Sequence, residues 1–143
     1  LTEARHIPLS QDAALVVALA GTAMPFAHSA EDEAERWLRA LRLHGQVGAA
    51  LQALGVGEAP LMTGAESPEE RGTRAKGPDV VQEVTDRATD FAAARDAETV
   101  GTADLVFALL DVYDKLFDRA LYMRGTSRDE LVERLIGAGS PEG

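Results

Sequence analysis

The sequence predicts an all-α fold, and three observations carry that prediction. Apolar residues make up 45% of the chain and aromatics only 5%, so alanine, leucine and valine must fill the interior. Such side chains suit closely packed helices better than a sandwich. Apolar positions recur at spacings of three and four, in runs that open on capping residues and close on glycine or proline. No stretch sustains the period-two alternation of a half-buried strand.

Residues 1–8 have no period and read as a lead-in. Ser10 is placed to cap a helix over 11–24, with Asp12 in the first turn, where the helix dipole favours an anion. Pro25 ends it. A second helix is expected over 31–44, acidic at its start and basic towards its end, until Gly45 breaks it. A short third, over 46–55, stops at Gly55. Residues 58–76 combine glycine, proline and mixed charge with hardly any apolar side chains, which is linker composition. Helical spacing resumes over 79–96, with Val81, Val84, Ala88, Phe91 and Ala92 on one face. Thr102 reads as the next N-cap and Asp104 lies in the first turn. Leu105, Phe107, Ala108, Leu109 and Val112 give that helix a broad apolar surface. Further helices are expected over 114–125 and 127–137, the last with a capping box made by Ser127 and Glu130.

A formal charge of −10 argues against nucleic acid or an anionic membrane as the main partner. No cysteine is present, which excludes disulfides and thiolate metal sites and fits a reducing compartment. The longest apolar segment, 13–27, is short for a bilayer, contains Pro25 and has no basic leader. A cytoplasmic domain is expected, and its first residue, Leu1, suggests a piece of a longer or trimmed chain. His6, His28 and His44 lack metal-motif spacing. Glu31, Asp32, Glu33 and Glu35 suit dipole compensation better than acid–base chemistry. Ser10, Ser29 and Ser127 sit in no nucleophile elbow and are expected to cap helices or make turns. No phosphate-loop element occurs. No catalytic residue, metal or cofactor is therefore expected, and the chain reads as a non-enzyme. Trp37, Phe107, Phe117, Tyr113, Tyr122 and Met123 are expected mainly in the core, although 112–123 has an amphipathic pattern.

The two halves align without a gap, Leu9–Leu41 over Gly77–Leu109. Ala20 falls on Ala88, Ala34 on Thr102, Leu38 on Val106, Ala40 on Ala108 and Leu41 on Leu109. Identity is low, but helix, turn and helix recur, and each half closes on a short helix and glycine, 51-LQALG-55 and 121-LYMRG-125. Two copies of a unit that cannot bury its own face are expected to pack about an approximate dyad, in pseudo-twofold fashion. The expected organisation is one domain over 1–143: repeat one 9–57, linker 58–76 and repeat two 77–137.

With 100-VGTADLVFALL-110 as turn and leucine-rich run, 49-AALQALGV-56 as closure and 9-LSQDA-13 as helix start, the sequence resembles a known family. It is similar to the N-terminal (Clp repeat) domain of ClpC/ClpA-type AAA+ unfoldases, as a divergent member without the ATPase. The resemblance covers roughly residues 9–137. It implies a duplicated bundle of about eight helices that has no activity of its own and docks substrates, adaptors, Clp subunits or phosphoarginine marks. In ClpC-type members a hydroxyl at the helix start receives phosphate and a glutamate in the turn pairs with guanidinium. Carried over, the first repeat places Ser10 and Glu35 in those roles. The second places Pro78 and Ala103 there, which offer neither hydroxyl nor charge. Leu9 and Gly77 stand where phenylalanines hold cyclic-peptide antibiotics in some members, which weighs against such binding here. The family's adaptor groove is framed by the region equivalent to 112–123, making Tyr113 and Tyr122 candidate anchors. The leading expectation is a protein- or peptide-binding module, stand-alone regulator or decoy included, acting on chaperone and proteolysis machinery. The alternative is a small-ligand or antibiotic-sequestering protein that reuses the fold.

Overall fold

Ser10, Ser29 and Ser127 each accept the backbone N–H three residues ahead, from Ala13, Asp32 and Glu130 at 3.1 Å, and each starts a helix. In the computed structural model, which describes residues 7–56, 77 and 79–137, the helices are α1 (Gln11–Ala23), α2 (Ala30–Leu41), α3 (Gly45–Ala53), α4 (Val80–Ala94), α5 (Thr102–Tyr113), α6 (Lys115–Met123) and α7 (Arg128–Gly137). A 3-10 turn, Met24–Phe26, follows α1 with Pro25 inside it. The described residues are thus all-α, and their one extended pairing is an isolated parallel bridge between Leu9 and Val100. The linker expected over 58–76, together with His6 and Pro78, lies outside the described residues.

Two expected caps are corrected. The N-cap of α5 is Gly101, not Thr102. Asp104 reaches back to accept the Gly101 N–H at 2.9 Å, while the Thr102 hydroxyl accepts the Val47 N–H at 3.3 Å. Thr102 therefore satisfies a donor in the first turn of α3, whose own N-cap, His44, makes no side-chain bond. At α7 the Ser127 half of the capping box is present, but Glu130 accepts from the Thr126 hydroxyl at 2.9 Å. The second helix also starts earlier than its charge pattern implied and ends at Leu41 rather than His44.

Helices α3 and α6 close alike. The Gly55 N–H bonds the Gln52 carbonyl at 3.0 Å and the Val56 N–H bonds Leu51 at 2.9 Å. Around α6, Gly125 bonds Tyr122 at 3.0 Å and Thr126 bonds Leu121 at 3.1 Å. Both glycines are left-handed, φ 87° and 93°, the conformation this helix ending requires.

One apolar core links all seven helices. Laid together as in the sequence alignment, the halves match buried with buried: Val16 with Val84, Ala20 with Ala88, Trp37 with Leu105, Leu38 with Val106, Leu41 with Leu109. The packing crosses between halves: α2 lies on α6, α3 lies on α5, and α1 touches both α4 and α5. Phe107, expected on the buried face of α5, sits at its edge instead, with its ring 5.9 Å from that of Phe91. Val106 takes the interior position.

Candidate functional site

The chain reaches α1 through the bridge between Leu9 and Val100. Ser10 donates its N–H to the Val100 carbonyl at 2.9 Å, and Val100 donates to Pro8 at 2.8 Å. These bonds hold the start of α1 beside the turn that precedes α5. The Ser10 hydroxyl faces its own helix and accepts from Ala13.

Glu35 lies one helix away in a different environment. Its carboxylate takes a hydrogen bond from the Arg124 guanidinium, an ion pair across the α2–α6 seam with little exposure on either side. Among the described residues no hydrogen bond joins Ser10 to Glu35, so the two proposed halves of an anion-and-guanidinium site are held by other groups. Ala103 is partly buried and, as its sequence implies, supplies no charge. Pro78 lies outside the described residues.

The two tyrosines part company. Tyr122 is 77% exposed on α6, beside exposed Met123. Tyr122 and Met123 thus depart from the core expected of them, whereas Tyr113 keeps it and loses the anchor role that the resemblance implied. Tyr113 is 3% exposed, and its hydroxyl donates to Glu33 Oε1 at 2.9 Å. Burial, the Glu33 charge and that hydrogen bond all push its pKa far above the usual 10.0, while the nearby Trp37 indole offsets a little of the rise. The other Glu33 oxygen accepts the Gly77 N–H at 2.9 Å. Glu33 has no exposure at all, and it ties the first turns of α2 to the end of α5 and to the residue that leads into α4. By its place in the first turn of α2, Glu33 is expected to be an ordinary dipole-compensating acid. Its position four residues before Trp37 on the buried stripe was the signal to read it otherwise.

A similar device stands at α5. Asp104 is 1% exposed and receives Arg95 at both oxygens, Nε–Oδ1 3.0 Å and Nη2–Oδ2 2.6 Å. That pairing raises the Arg95 pKa further. On the α2 side, Asp32 accepts the His28 N–H and the Arg36 Nε–H, each at 3.1 Å. These carboxylates fasten helix starts. Among the described residues no three histidine, aspartate or glutamate side chains converge as metal ligands, and no helix is long and apolar enough to cross a membrane.

Surface apolar residues form the remaining feature. Leu15, Leu19 and Phe26 are well exposed along α1 and the turn after it, while Leu43, Met123 and Ile136 lie elsewhere. The sequence signal for this surface is the lack of any charge from Ala13 to Ala27, since the wet face of a helix usually carries charge. No family model matches the chain, and no curated protein matches it.

Proposed function

We propose that this chain is a non-enzymatic module that docks proteins or peptides, built from a duplicated helical unit and similar to the N-domain of Clp-type unfoldases. The observation that carries the reading is the crossed packing, α2 on α6 and α3 on α5. The third helix of each half lies on the second helix of the other, so each half completes its core on its neighbour, which is the logic of a duplicated repeat. The matched glycine endings at Gly55 and Gly125 and the matched burial of the two halves support the same reading.

Within this reading, recognition rests on apolar and electrostatic contact rather than on phosphoarginine. Arg124 already holds Glu35, and Ser10 is spent as a cap. Of the two candidate tyrosines, Tyr122 is exposed to a partner and Tyr113 is not.

The test is capture by the immobilised chain from an extract of its source cell, followed by direct binding with purified Clp-type ATPase, adaptors and substrates. Saturable binding of a Clp subunit, adaptor or substrate is expected. Their absence, with an unrelated protein or a stabilising small molecule in their place, overturns the Clp link.

A further inference from the structure

Helix α1 is apolar on both sides. Ala13, Val16 and Ala20 are buried, while Leu15 and Leu19 on the outer face are each 45% exposed and Phe26 continues their line at 67%. Ala14, Ala18 and Thr22 fill the outer surface between them, and no ionisable residue occurs from Ala13 to Ala27. A surface helix facing only water would carry charge on that side. A contiguous apolar patch marks an interaction site, and Leu15, Leu19, Thr22 and Phe26 follow the three- and four-residue spacing that a second helix packs against.

Charge selects the occupant. Asp12 stands in the first turn of α1. Beside it lies the turn held by the bridge between Leu9 and Val100, where Glu98 is exposed. Arg95, the cation of that turn, is already paired with Asp104. At the far end, following Phe26 in the chain, partly buried Glu31 stands in the first turn of α2, one of its oxygens closed to solvent. The stripe is uncharged along its length and acidic towards both ends, on a molecule of net charge −10. A second copy would set acid against acid, and an anionic bilayer would be repelled.

We propose that the outer face of α1 docks a cationic amphipathic helix of a partner protein, with its apolar side on Leu15, Leu19 and Phe26 and its lysines or arginines near Asp12, Glu98 and Glu31. This deepens the docking reading by naming a surface and a partner chemistry, and it stands without the Clp resemblance. α1 and its turn accommodate a helix of about four turns.

The experiment titrates the full chain against fluorescent synthetic helices of that length with a leucine–alanine face, ended by lysines or by glutamates. The lysine-ended peptide should bind saturably and weaken about tenfold between dilute and half-molar salt. Its glutamate-ended twin should bind at least about tenfold more weakly. Leu15→Gln with Leu19→Gln should reduce affinity about tenfold or more while leaving the circular-dichroism melt in place. Glu31→Gln with Glu98→Gln should flatten the salt dependence. Equal binding of both peptides, no binding of either, or full affinity in the leucine variant overturns the proposal. So does self-association or vesicle binding through this face, read by sedimentation and flotation. Failure of Clp capture with peptide binding intact removes only the Clp link.

Discussion

Tyr113 donates its hydroxyl hydrogen to a carboxylate that has no access to water. Removing that donor takes a hydrogen bond from a carboxylate closed to solvent, so Tyr113→Phe should cost about 1–3 kcal/mol at neutral pH in urea unfolding. The pH dependence follows from the raised pKa. The unfolded phenol ionises near 10.0 and the folded one well above it. The stabilisation is therefore complete below pH 10 and falls at about 1.4 kcal/mol per unit as the pH rises beyond. Tyr113→Phe has no such proton to lose, so the two stability curves should converge above pH 10; parallel curves would refute the coupling. A second residue-scale expectation concerns Thr102, whose hydroxyl serves α3 rather than α5. Thr102→Val keeps the volume and strands the Val47 N–H, and thermal melts should show a loss of about 1–2 kcal/mol. Neither bond was legible in the sequence. Spacing along the chain announces a cap three residues away, as at Ser10, Ser29 and Ser127, but says nothing of a partner brought in from another helix. Thr102 looked like a local cap for that reason, and Tyr113, whose residue type suggests the core, gave no sign in its spacing that Glu33 on another helix would be its partner.

Helices are where the sequence was most informative, because periodicity and punctuation are local properties. The expected helices all occur, and Gly55 and Gly125 end two of them as anticipated. Boundaries slipped where charge suggested a solvated end, as at His44. Glycine also hid two opposite roles. A Cβ on Gly48 would sit 2.9 Å from the Arg42 carbonyl and 3.1 Å from that of Leu41, both backbone atoms with little room to move. Gly48 is what allows α3 to fold back closely on the end of α2. Gly48→Ala should therefore destabilise by about 1–3 kcal/mol despite alanine's better helix propensity. On α1 the same change at Gly21 meets nothing within 4 Å and should stabilise by up to about 1 kcal/mol. Opposite shifts in paired thermal melts are the expected result. A gain at Gly48 would mean that the α2–α3 corner is looser than its geometry implies.

Across the whole molecule, the crossed packing decides how the chain unfolds. Helix α4 packs chiefly on α5 within the second half, but α2 lies on α6 and α3 on α5, so the two halves share one core and should unfold together. Trp37, the chain's one tryptophan, lies fully buried on α2 and reports the first half by fluorescence, while far-UV ellipticity reports every helix. The two signals should trace one transition, with equal midpoints and equal slopes in urea. The ion pair between Glu35 and Arg124 supplies a perturbation across the seam. Arg124→Ala leaves a carboxylate whose side chain is only 19% exposed without its cation, a change expected to cost about 2–3 kcal/mol. If the halves are interlocked, that loss must move the tryptophan and ellipticity midpoints together, although the altered residue lies in the second half and the fluorophore in the first. Independent halves would split the curves, with α4 to α7 melting early while Trp37 stays buried. Coincident movement under a one-sided substitution is the behaviour that side-by-side halves joined only by a linker cannot produce.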